Sequence, residues 1–355
     1  MQPLSIYAGE SALQTIQQKG VSPDMFSAVL GASGGPKWFV LYGLDKVLFS
    51  EFMDLSERPV DIIGSSIGAF RAACFAHNDT KAAIERLADR YSNTVYSDKP
   101  TVQEITEKGV ALLDNMMGEQ GVVEVLNHPS KRLHIVVAKS HGMAAREVRW
   151  QQGPALGLAA ARNAIGRAKL QKSFTRVVFS NTESLFGFSE QVELKTKHVQ
   201  LNQENMLMAL MATGSIPMVI QGVPDIPGAG KGMYRDGGII DYHFDMHIKT
   251  TGLVLYPHFS KTPIPGWFDK ALKNRQCHPS SYDNVVMVTP SDEFIASLPY
   301  AKIPDRKDFE SMNAQERIPY WHKVMAQSHA LGDAFLEWVN SPEPSKFVQP
   351  IQLKR

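Results

Sequence analysis

The amino-acid sequence predicts an α/β fold with a mainly parallel central sheet. Twice near the N-terminus, a short apolar run passes through a glycine-rich turn into a segment with helically spaced apolar residues. Buried strands that alternate with helices are typical of a parallel sheet covered by helices. The chain has 355 residues, of which 43% are hydrophobic, enough for one large domain or two smaller ones.

The first of these units covers residues 25–52. The apolar run at 25–30 predicts a strand, and the glycine-rich stretch 31–36 predicts a turn after it. Pro36 suits the first position of a helix, where its missing N–H costs no hydrogen bond. The spacing of apolar residues then predicts a helix over 37–52.

The second unit repeats this order, with a strand at 60–63, a tight turn at 64–68 and a helix at 69–77. No long polar linker divides the chain, so we expect one domain over residues 1–355, with its motifs in about 25–240 and a C-terminal extension of about 250–355. Apolar patterns predict further strands at 133–138, 176–179, 252–256 and 284–288, and helices at 81–91, 101–117, 157–171, 204–213 and 319–339.

Composition restricts the classes of function. The 37 basic and 36 acidic side chains give a formal net charge of +1, so the chain has no overall charge that would favour nucleic acid as a partner. The two cysteines, Cys74 and Cys277, form no metal-binding pair and suit a reducing compartment. No signal peptide is evident and no run of about 18 apolar residues occurs, so we expect a cytoplasmic protein that meets lipid only at a membrane surface.

The turn at 64–68 reads Gly-Ser-Ser-Ile-Gly and fits the pattern G-x-S-x-G with Ser66 at its centre. A nucleophilic serine at a strained strand-to-helix turn needs small neighbours, and its hydroxyl is expected to project into solvent above the sheet. The alternative is a plain tight turn in which Ser66 caps the helix. Ser33, in the Gly-Ala-Ser-Gly-Gly stretch at 31–35, is a second candidate nucleophile in a looser turn.

The same stretch offers backbone N–H groups, chiefly those of Gly34 and Gly35, to the oxyanion of an acyl-transfer intermediate. It fits neither common phosphate-binding pattern, because Trp38 follows Lys37 where one pattern requires Ser or Thr. The other interpretation of the stretch is a simple turn. Lys37 is a candidate for orienting the loop or meeting an anionic headgroup, unless it is surface charge alone.

A serine nucleophile needs a base, and Asp236 is a candidate because Gly237 and Gly238 after it permit a tight turn that orients the carboxylate. Asp-Gly-Gly alone is also consistent with an ordinary turn. His243 and His247 lie four residues apart, but no third ligand follows at a recognised spacing. We therefore expect neither a metal nor a cofactor.

Three motifs in this order resemble those of the patatin-like phospholipases: the glycine loop at 31–37, the Gly-Ser-Ser-Ile-Gly turn at 64–68 and Asp-Gly-Gly at 236–238. Residues 212–217, Ala-Thr-Gly-Ser-Ile-Pro, resemble the segment that precedes Asp-Gly-Gly in that family. The resemblance implies a three-layer α/β/α sandwich and a phospholipase A or lysophospholipase type of ester hydrolysis through an acyl-enzyme. It also implies Ser66 as nucleophile, Asp236 as base, and the loop at Gly34 and Gly35 as oxyanion hole.

The loop departs from the family pattern, which has three consecutive glycines, then Arg or Lys, then glycine. Here Ser33 or Pro36 takes one glycine place and Trp38 takes the last, so an amide donor is lost if Pro36 falls where the hole needs one. Two other functions remain open. One is an acyltransferase or thioesterase that pairs the serine with a histidine such as His243, and the other is a non-catalytic lipid-binding protein.

Two segments are candidates for peripheral membrane contact. Residues 148–182 contain no acidic residue, and basic side chains there interleave with Leu156, Leu158, Ala159, Ile165 and Leu170. An ordinary solvated outer helix of the sandwich is the favoured interpretation of this segment. Trp267 and Phe268, followed by Lys270, form the second candidate. The sequence carries no signal for a head group, an acyl length or an oligomeric state.

Overall fold

The computed structural model describes residues 2–56, 58–182 and 187–353. It is a three-layer α/β/α sandwich around a large mixed, mainly parallel sheet, as the sequence predicts. The strands of the described residues are β1 Leu4–Ala8, β2 Phe26–Gly31, β3 Val60–Ser65, β4 Lys131–Ser140, β5 Phe174–Ser180, β6 Gly187–Ser189, β7 Thr196–Gln200, β8 Val223–Pro224, β9 Met233–Asp236, β10 His247–Lys249, β11 Leu253–Pro257, β12 Val285–Pro290 and β13 Val348–Pro350.

Helices connect these strands and pack against the sheet. Across the described residues the α-helices are α1 Glu10–Lys19, α2 Tyr42–Val47, α3 Ile67–Phe75, α4 Thr80–Ser92, α5 Val102–Met117, α6 Gly121–Asn127, α7 Arg149–Ile165, α8 Met206–Gly214, α9 Asp292–Ser297, α10 Asp308–Ser311, α11 Ala314–Gln327 and α12 His329–Val339. No helix among the described residues is long and apolar enough to cross a membrane.

The main path through the sheet runs β13-β1-β12-β11-β2-β3-β4-β5-β7. The central strands, from β12 to β4, are parallel to one another. Antiparallel pairs occur on either side of this centre, where β1 pairs with β12 and β5 pairs with β4. The carboxyl ends of β2 and β3 therefore lie together at one edge of the sheet, where ligand sites of such folds usually form.

The predicted strands and most predicted helices are present, with three differences in the helices. The segment at 37–52 is not one α-helix, because a 3₁₀ helix at Gly35–Leu41 precedes α2 and a π-helical turn at Leu48–Phe52 follows it. The helix predicted at 319–339 is two helices, α11 and α12. The helix predicted at 157–171 is α7, which starts earlier and gives way to a 3₁₀ helix at Arg167–Lys172.

The segment after about 250 supplies part of the central sheet. Strand β11 inserts beside β2, β12 pairs with both β11 and β1, and β13 pairs with β1. One buried core cluster contains residues from Leu4 to Trp338. We propose on this basis that the chain forms one domain, in which the C-terminal segment completes the sheet.

Close contact between two backbone turns holds β2 against α3. A Cβ atom added at Gly68 would lie 1.9 Å from the carbonyl oxygen of Gly31, and one added at Gly31 would lie 2.4 Å from the carbonyl oxygen of Gly68. Real Cβ atoms do not approach backbone oxygens so closely, so both positions require glycine. This contact brings the loop after β2 beside the turn after β3.

We expect Gly68→Ala to destabilise the fold although alanine favours helices, because its methyl group would push the two turns apart. The free energy of unfolding should fall by about 1–3 kcal/mol or more, as in overpacked cores. Gly153→Ala in α7 is the matched control, because nothing lies within 4 Å of its added Cβ. Because alanine has a higher helix propensity than glycine, this control substitution should raise the free energy of unfolding by up to about 1 kcal/mol. Equal unfolding midpoints of both variants in urea would contradict the close contact.

Candidate active site

Ser66 lies at the turn between β3 and α3 in a conformation that non-glycine residues rarely adopt, with φ 54° and ψ −132°. Hydrogen bonds from a neighbouring helix hold this turn. The Ser66 amide donates to Oγ1 of Thr213, at 2.8 Å, and that hydroxyl donates to the carbonyl of Val136, at 2.5 Å. The strained turn predicted around Ser66 is therefore present, and Thr213 of α8 fixes it to the centre of β4.

The Ser66 hydroxyl donates a hydrogen bond to Oδ2 of Asp236 at 2.9 Å. It makes no capping hydrogen bond to α3, so the alternative in which Ser66 serves as a helix cap does not describe this side chain. The expectation that the hydroxyl projects into solvent is wrong. Ser66 and Asp236 are each 8% exposed, so both ends of their hydrogen bond are buried.

The Asp236 carboxylate is placed by the end of β9 and by the two glycines that follow. Asp236 pairs with Val137 of β4, next to the residue of β4 that pairs with Ser65. Its Oδ1 accepts a hydrogen bond from the Gly238 amide at 2.7 Å. A Cβ at Gly237 would lie 2.0 Å from the carbonyl oxygen of Val136, so a side chain there would displace the carboxylate.

Burial raises the pKa of Asp236 to about 6. The Gly238 amide and the Ser66 hydroxyl oppose this rise by donating to the charged form, and the charges of Lys270 and Arg306 oppose it from further away. The carboxylate is therefore mostly ionised at neutral pH, yet far more basic than an ordinary aspartate. Such a pKa suits a general base that works near pH 7.

Ser33, the second candidate nucleophile, braces the loops of the site. Its amide donates to the carbonyl of Tyr242 at 3.0 Å, and its hydroxyl lies 2.7 Å from the hydroxyl of Ser65. Ser65 in turn donates to the carbonyl of Asp241 at 2.6 Å. Ser33 is 1% exposed, and among the described contacts no hydrogen bond joins it to Asp236.

Gly34 and Gly35 form the part of the glycine loop whose amides are free to bind. Within the described residues, neither amide donates to a protein acceptor. Gly35 has φ 58°, and a Cβ at Gly34 would lie 2.5 Å from the Phe259 ring, so both positions need glycine. Pro36 falls inside the 3₁₀ helix that begins at Gly35. Its missing N–H therefore follows the two free amides in sequence.

His243 is buried and does not contact the Ser66–Asp236 pair through any described hydrogen bond. Its Nδ1 accepts from the Ile264 amide at 2.9 Å, and its ring stands against that of His258, with centroids 4.3 Å apart. Burial, followed by the neighbouring His258, lowers the pKa of His243 well below its ordinary value. Among the described residues, no three His, Cys, Asp or Glu side chains group closely enough to hold a metal ion.

Three cations gather around the glycine loop. The Lys37 ammonium lies 3.8 Å from the Asp305 carboxylate and 5.4 Å from the centroid of the Phe259 ring. The Lys270 ammonium lies 3.7 Å from the centroid of the Tyr242 ring, whose backbone carbonyl accepts from the loop at Ser33. Loss of contact with water lowers the pKa of Lys270 to about 8, and the positive charge of Lys37 contributes to this decrease.

Arg306 adds a third positive charge, which acts on both Asp236 and Lys270. With Asp305 as the nearby carboxylate, this cation cluster (Lys37, Lys270 and Arg306) carries more positive than negative charge. Sequence reasoning placed Lys270 in an interfacial patch with Trp267 and Phe268. Those two rings instead pack against a second buried core cluster, which includes Phe174, Ile239 and Ile240. Arg306 carried no motif, so only the fold could bring it to the site.

The fold and the site place this protein in the class of mainly parallel α/β sandwiches that carry a serine at a strand-to-helix turn. A sequence model described as patatin-like phospholipase matches residues 40–243, more than half of the 355 residues. The chain belongs to the patatin-like phospholipase family. A search of curated proteins found no match. The matched segment includes Ser66 and Asp236, whereas the glycine loop and all three residues of the cation cluster lie outside it.

We expect Asp236→Asn to leave the folded protein at least as stable as the parent at pH 7. The raised pKa means that folding disfavours the charged carboxylate, so this cost grows as the pH rises from about 3.8 through about 6. Asparagine keeps an oxygen for the Gly238 amide and carries no charge. Thermal unfolding at pH 7 and pH 4 tests this. A melting temperature lowered by the substitution at pH 7 but not at pH 4 would contradict a desolvated carboxylate.

Proposed function

We propose that this protein is a cytoplasmic serine acyl hydrolase that cleaves acyl esters of lipids, with Ser66 as nucleophile and Asp236 as general base. The observation that carries the proposal is the 2.9 Å hydrogen bond from the Ser66 hydroxyl to Oδ2 of Asp236. That distance lies within the reach a general base needs. Membership of the patatin-like phospholipase family supports lipid acyl esters as the substrate class. The two buried, unpaired cysteines fit a reducing compartment.

The chemistry follows from this contact in two halves. Asp236 takes the Ser66 proton as the serine oxygen attacks the ester carbonyl, and the tetrahedral intermediate carries the negative charge on the former carbonyl oxygen. Asp236 then returns the proton to the departing alkoxide, which leaves as an alcohol while the acyl group stays on Ser66. In the second half, Asp236 takes a proton from water, which attacks the acyl-enzyme, and the proton returns to Ser66 as the fatty acid leaves.

The free amides of Gly34 and Gly35 support an oxyanion hole beside Ser66. Ile67, the residue after Ser66, is the first residue of α3, so its amide has no partner within the helix and completes the set. Each donor of this kind typically lowers the barrier by about 3–4 kcal/mol. The Ser33 amide is bonded to the Tyr242 carbonyl and does not contribute a donor. The loop still supplies the amides of Gly34 and Gly35, so the departure from three consecutive glycines leaves enough donors for an oxyanion hole.

The cation cluster supports a substrate with an anionic group near the scissile ester. The charges of Lys270 and Arg306 both act on Asp236, and no carboxylate of the described residues lies within 4.0 Å of either charge. A phosphate close to the ester would supply the missing negative charge, and lysine and arginine are its usual partners. Both residues belong to the segment beyond the family match, so this preference would be specific to proteins that share that segment.

A serine–histidine arrangement lacks support, because the Ile264 amide occupies Nδ1 of His243 and no described contact leads from this ring to Ser66. The depressed pKa keeps this imidazole neutral. A role without catalysis lacks support as well, since a binding protein needs neither a strained serine nor a carboxylate buried at a raised pKa.

We expect a fluorophosphonate probe to label Ser66, and Ser66→Ala to abolish both labelling and ester hydrolysis. Asp236→Asn should lower kcat by at least ~100-fold, the usual range for loss of a general base. His243→Asn, which keeps an acceptor for the Ile264 amide, should retain most activity. Labelling mapped by peptide mass spectrometry to Ser33, or greater loss in His243→Asn than in Asp236→Asn, would refute the Ser66–Asp236 dyad.

The pH dependence should separate the base from the cation cluster. For a phosphate-bearing acyl ester, kcat/KM should fall below about pH 6 as Asp236 is protonated, and again above about pH 8 as Lys270 loses its charge. An uncharged ester should keep the acid limb but lose the alkaline one. Lys270→Met should remove the alkaline limb and raise KM for the phosphate-bearing ester only. An alkaline limb that persists in Lys270→Met would exclude this lysine as its source.

A further inference from the structure

Helix α7 (Arg149–Ile165) buries Ala155, Leu156 and Ala159 on its inner face, and unlike an ordinary surface helix it also exposes large apolar side chains on its outer face. Gln152 and Asn163 are buried in its inner face. The Gln152 amide donates to the carbonyl of Arg146 at 2.8 Å, and the Asn163 amide donates to the Asp269 carboxylate at 2.6 Å. Hydrogen bonds near both ends of the helix and apolar packing between them therefore hold the inner face, while large apolar side chains remain on the face that meets solvent.

The exposed side chains of α7 form one apolar strip. Trp150 is 73% exposed, Leu158 47% and Ile165 72%. At about 100° per residue, these three lie within about 80° of one another around the helix axis. We call the strip the outer face of α7 and define it by its exposed members Trp150, Pro154, Leu158, Ala161, Ala164 and Ile165. No member of it is polar, and an exposed apolar strip of this kind marks an interaction site.

Cations border the outer face. Arg149 lies on one side of it and Arg162 on the other, and exposed Lys169 follows just beyond the helix end. Among the described residues, no carboxylate lies within 4.0 Å of any of these three charges, and the sequence has no acidic residue from 148 to 182. The surface that covers the strip must therefore be apolar at its centre and negatively charged around it.

We propose that the outer face of α7 docks the protein on an anionic lipid surface. Trp150, Leu158 and Ile165 enter the boundary between head groups and acyl chains, while Arg149 and Lys169 meet the anionic head groups. The charges favour a membrane over a second copy of the chain. In a two-fold symmetric dimer the same cations would face each other across the interface, without any acidic residue of this segment to pair with them.

The inner face ties this surface to the candidate active site. Asn163 of α7 and the nearby Arg167 both bond the buried Asp269 carboxylate, Arg167 at 3.1 Å. Asp269 lies in the 3₁₀ helix Trp267–Ala271, which also carries Lys270 of the cation cluster. Docking would thus hold a lipid surface against the element that supplies Lys270. Only this use of the surface for substrate access rests on the proposed function, whereas the docking itself does not.

The test is co-sedimentation of the full chain with vesicles of phosphatidylcholine mixed with phosphatidylglycerol, compared with phosphatidylcholine alone. We expect binding to the anionic vesicles and much weaker binding to the neutral ones. The triple variant Trp150→Gln, Leu158→Gln, Ile165→Gln should lower partitioning onto anionic vesicles by at least roughly tenfold, because each side chain buries apolar area on docking. Its hydrolysis of a monomeric water-soluble ester should be unchanged.

The matched control replaces three other exposed apolar side chains, Leu55→Gln, Val110→Gln and Val123→Gln, and should bind vesicles like the parent. The charges are tested by Arg149→Gln with Lys169→Gln, which should weaken binding to anionic vesicles at low salt. Lys81→Gln with Lys323→Gln is the control of equal charge. High salt should reduce the difference between these two pairs, since it screens exposed charges.

The proposal is overturned if the parent protein does not bind anionic vesicles, or if the outer-face variant and its control bind equally. It is also overturned if sedimentation velocity shows a dimer of the parent that the outer-face variant abolishes, with no vesicle binding by either. Ser66→Ala should bind vesicles like the parent. Vesicle binding without any ester hydrolysis would therefore remove the proposed function and leave the docking surface intact.

Discussion

The structure around the site depends on one constraint, a carboxylate that is buried and must still be able to hold a negative charge. Burial raises the pKa of Asp236, because an apolar surrounding disfavours charge. Two short hydrogen bonds, from the Gly238 amide and the Ser66 hydroxyl, offset part of that cost. The rest of the local architecture serves these two donors. Glycines follow Asp236 so that an amide can turn back to the carboxylate, and the Ser66 backbone is strained so that its hydroxyl points at Oδ2.

That geometry is assembled from segments far apart in the chain. Strand β3 ends in Ser65, which pairs with Val136 of β4. The carbonyl of Val136 also accepts a hydrogen bond from the Thr213 hydroxyl. Asp236 pairs with the next residue of β4. Strand β4 therefore positions Ser66, Thr213 and Asp236 relative to one another. The contact of Gly31 with Gly68 then brings the glycine loop beside the serine. A change in the register of β4 would separate all of these groups at once.

The segment beyond the family match gives the site its charge. Lys270 and Arg306 add positive charge near a carboxylate whose pKa is about 6, and their charges favour its ionised form. Lys270 is held in place indirectly, through the buried Asp269 that Asn163 and Arg167 bond. Asn163 of α7 and Arg167 just after it thus connect this helix to the element that carries Lys270.

The sequence by itself determined the elements and the motifs. Apolar runs with the correct period predicted the strands and most helices, and the small residues around Ser66 predicted a strained turn, because local sterics decide both. Contacts between residues that are far apart in the sequence were visible only in the tertiary structure. Only the fold showed that the Ser33 hydroxyl bonds that of Ser65 and that Ser66 is buried. It also showed that Thr213 fixes the turn at Ser66. The helix predicted at 319–339 proved to be two helices, α11 and α12. The fold likewise decided which face of α7 is buried, because Asp269, the partner of Asn163 on that face, lies about a hundred residues away along the chain.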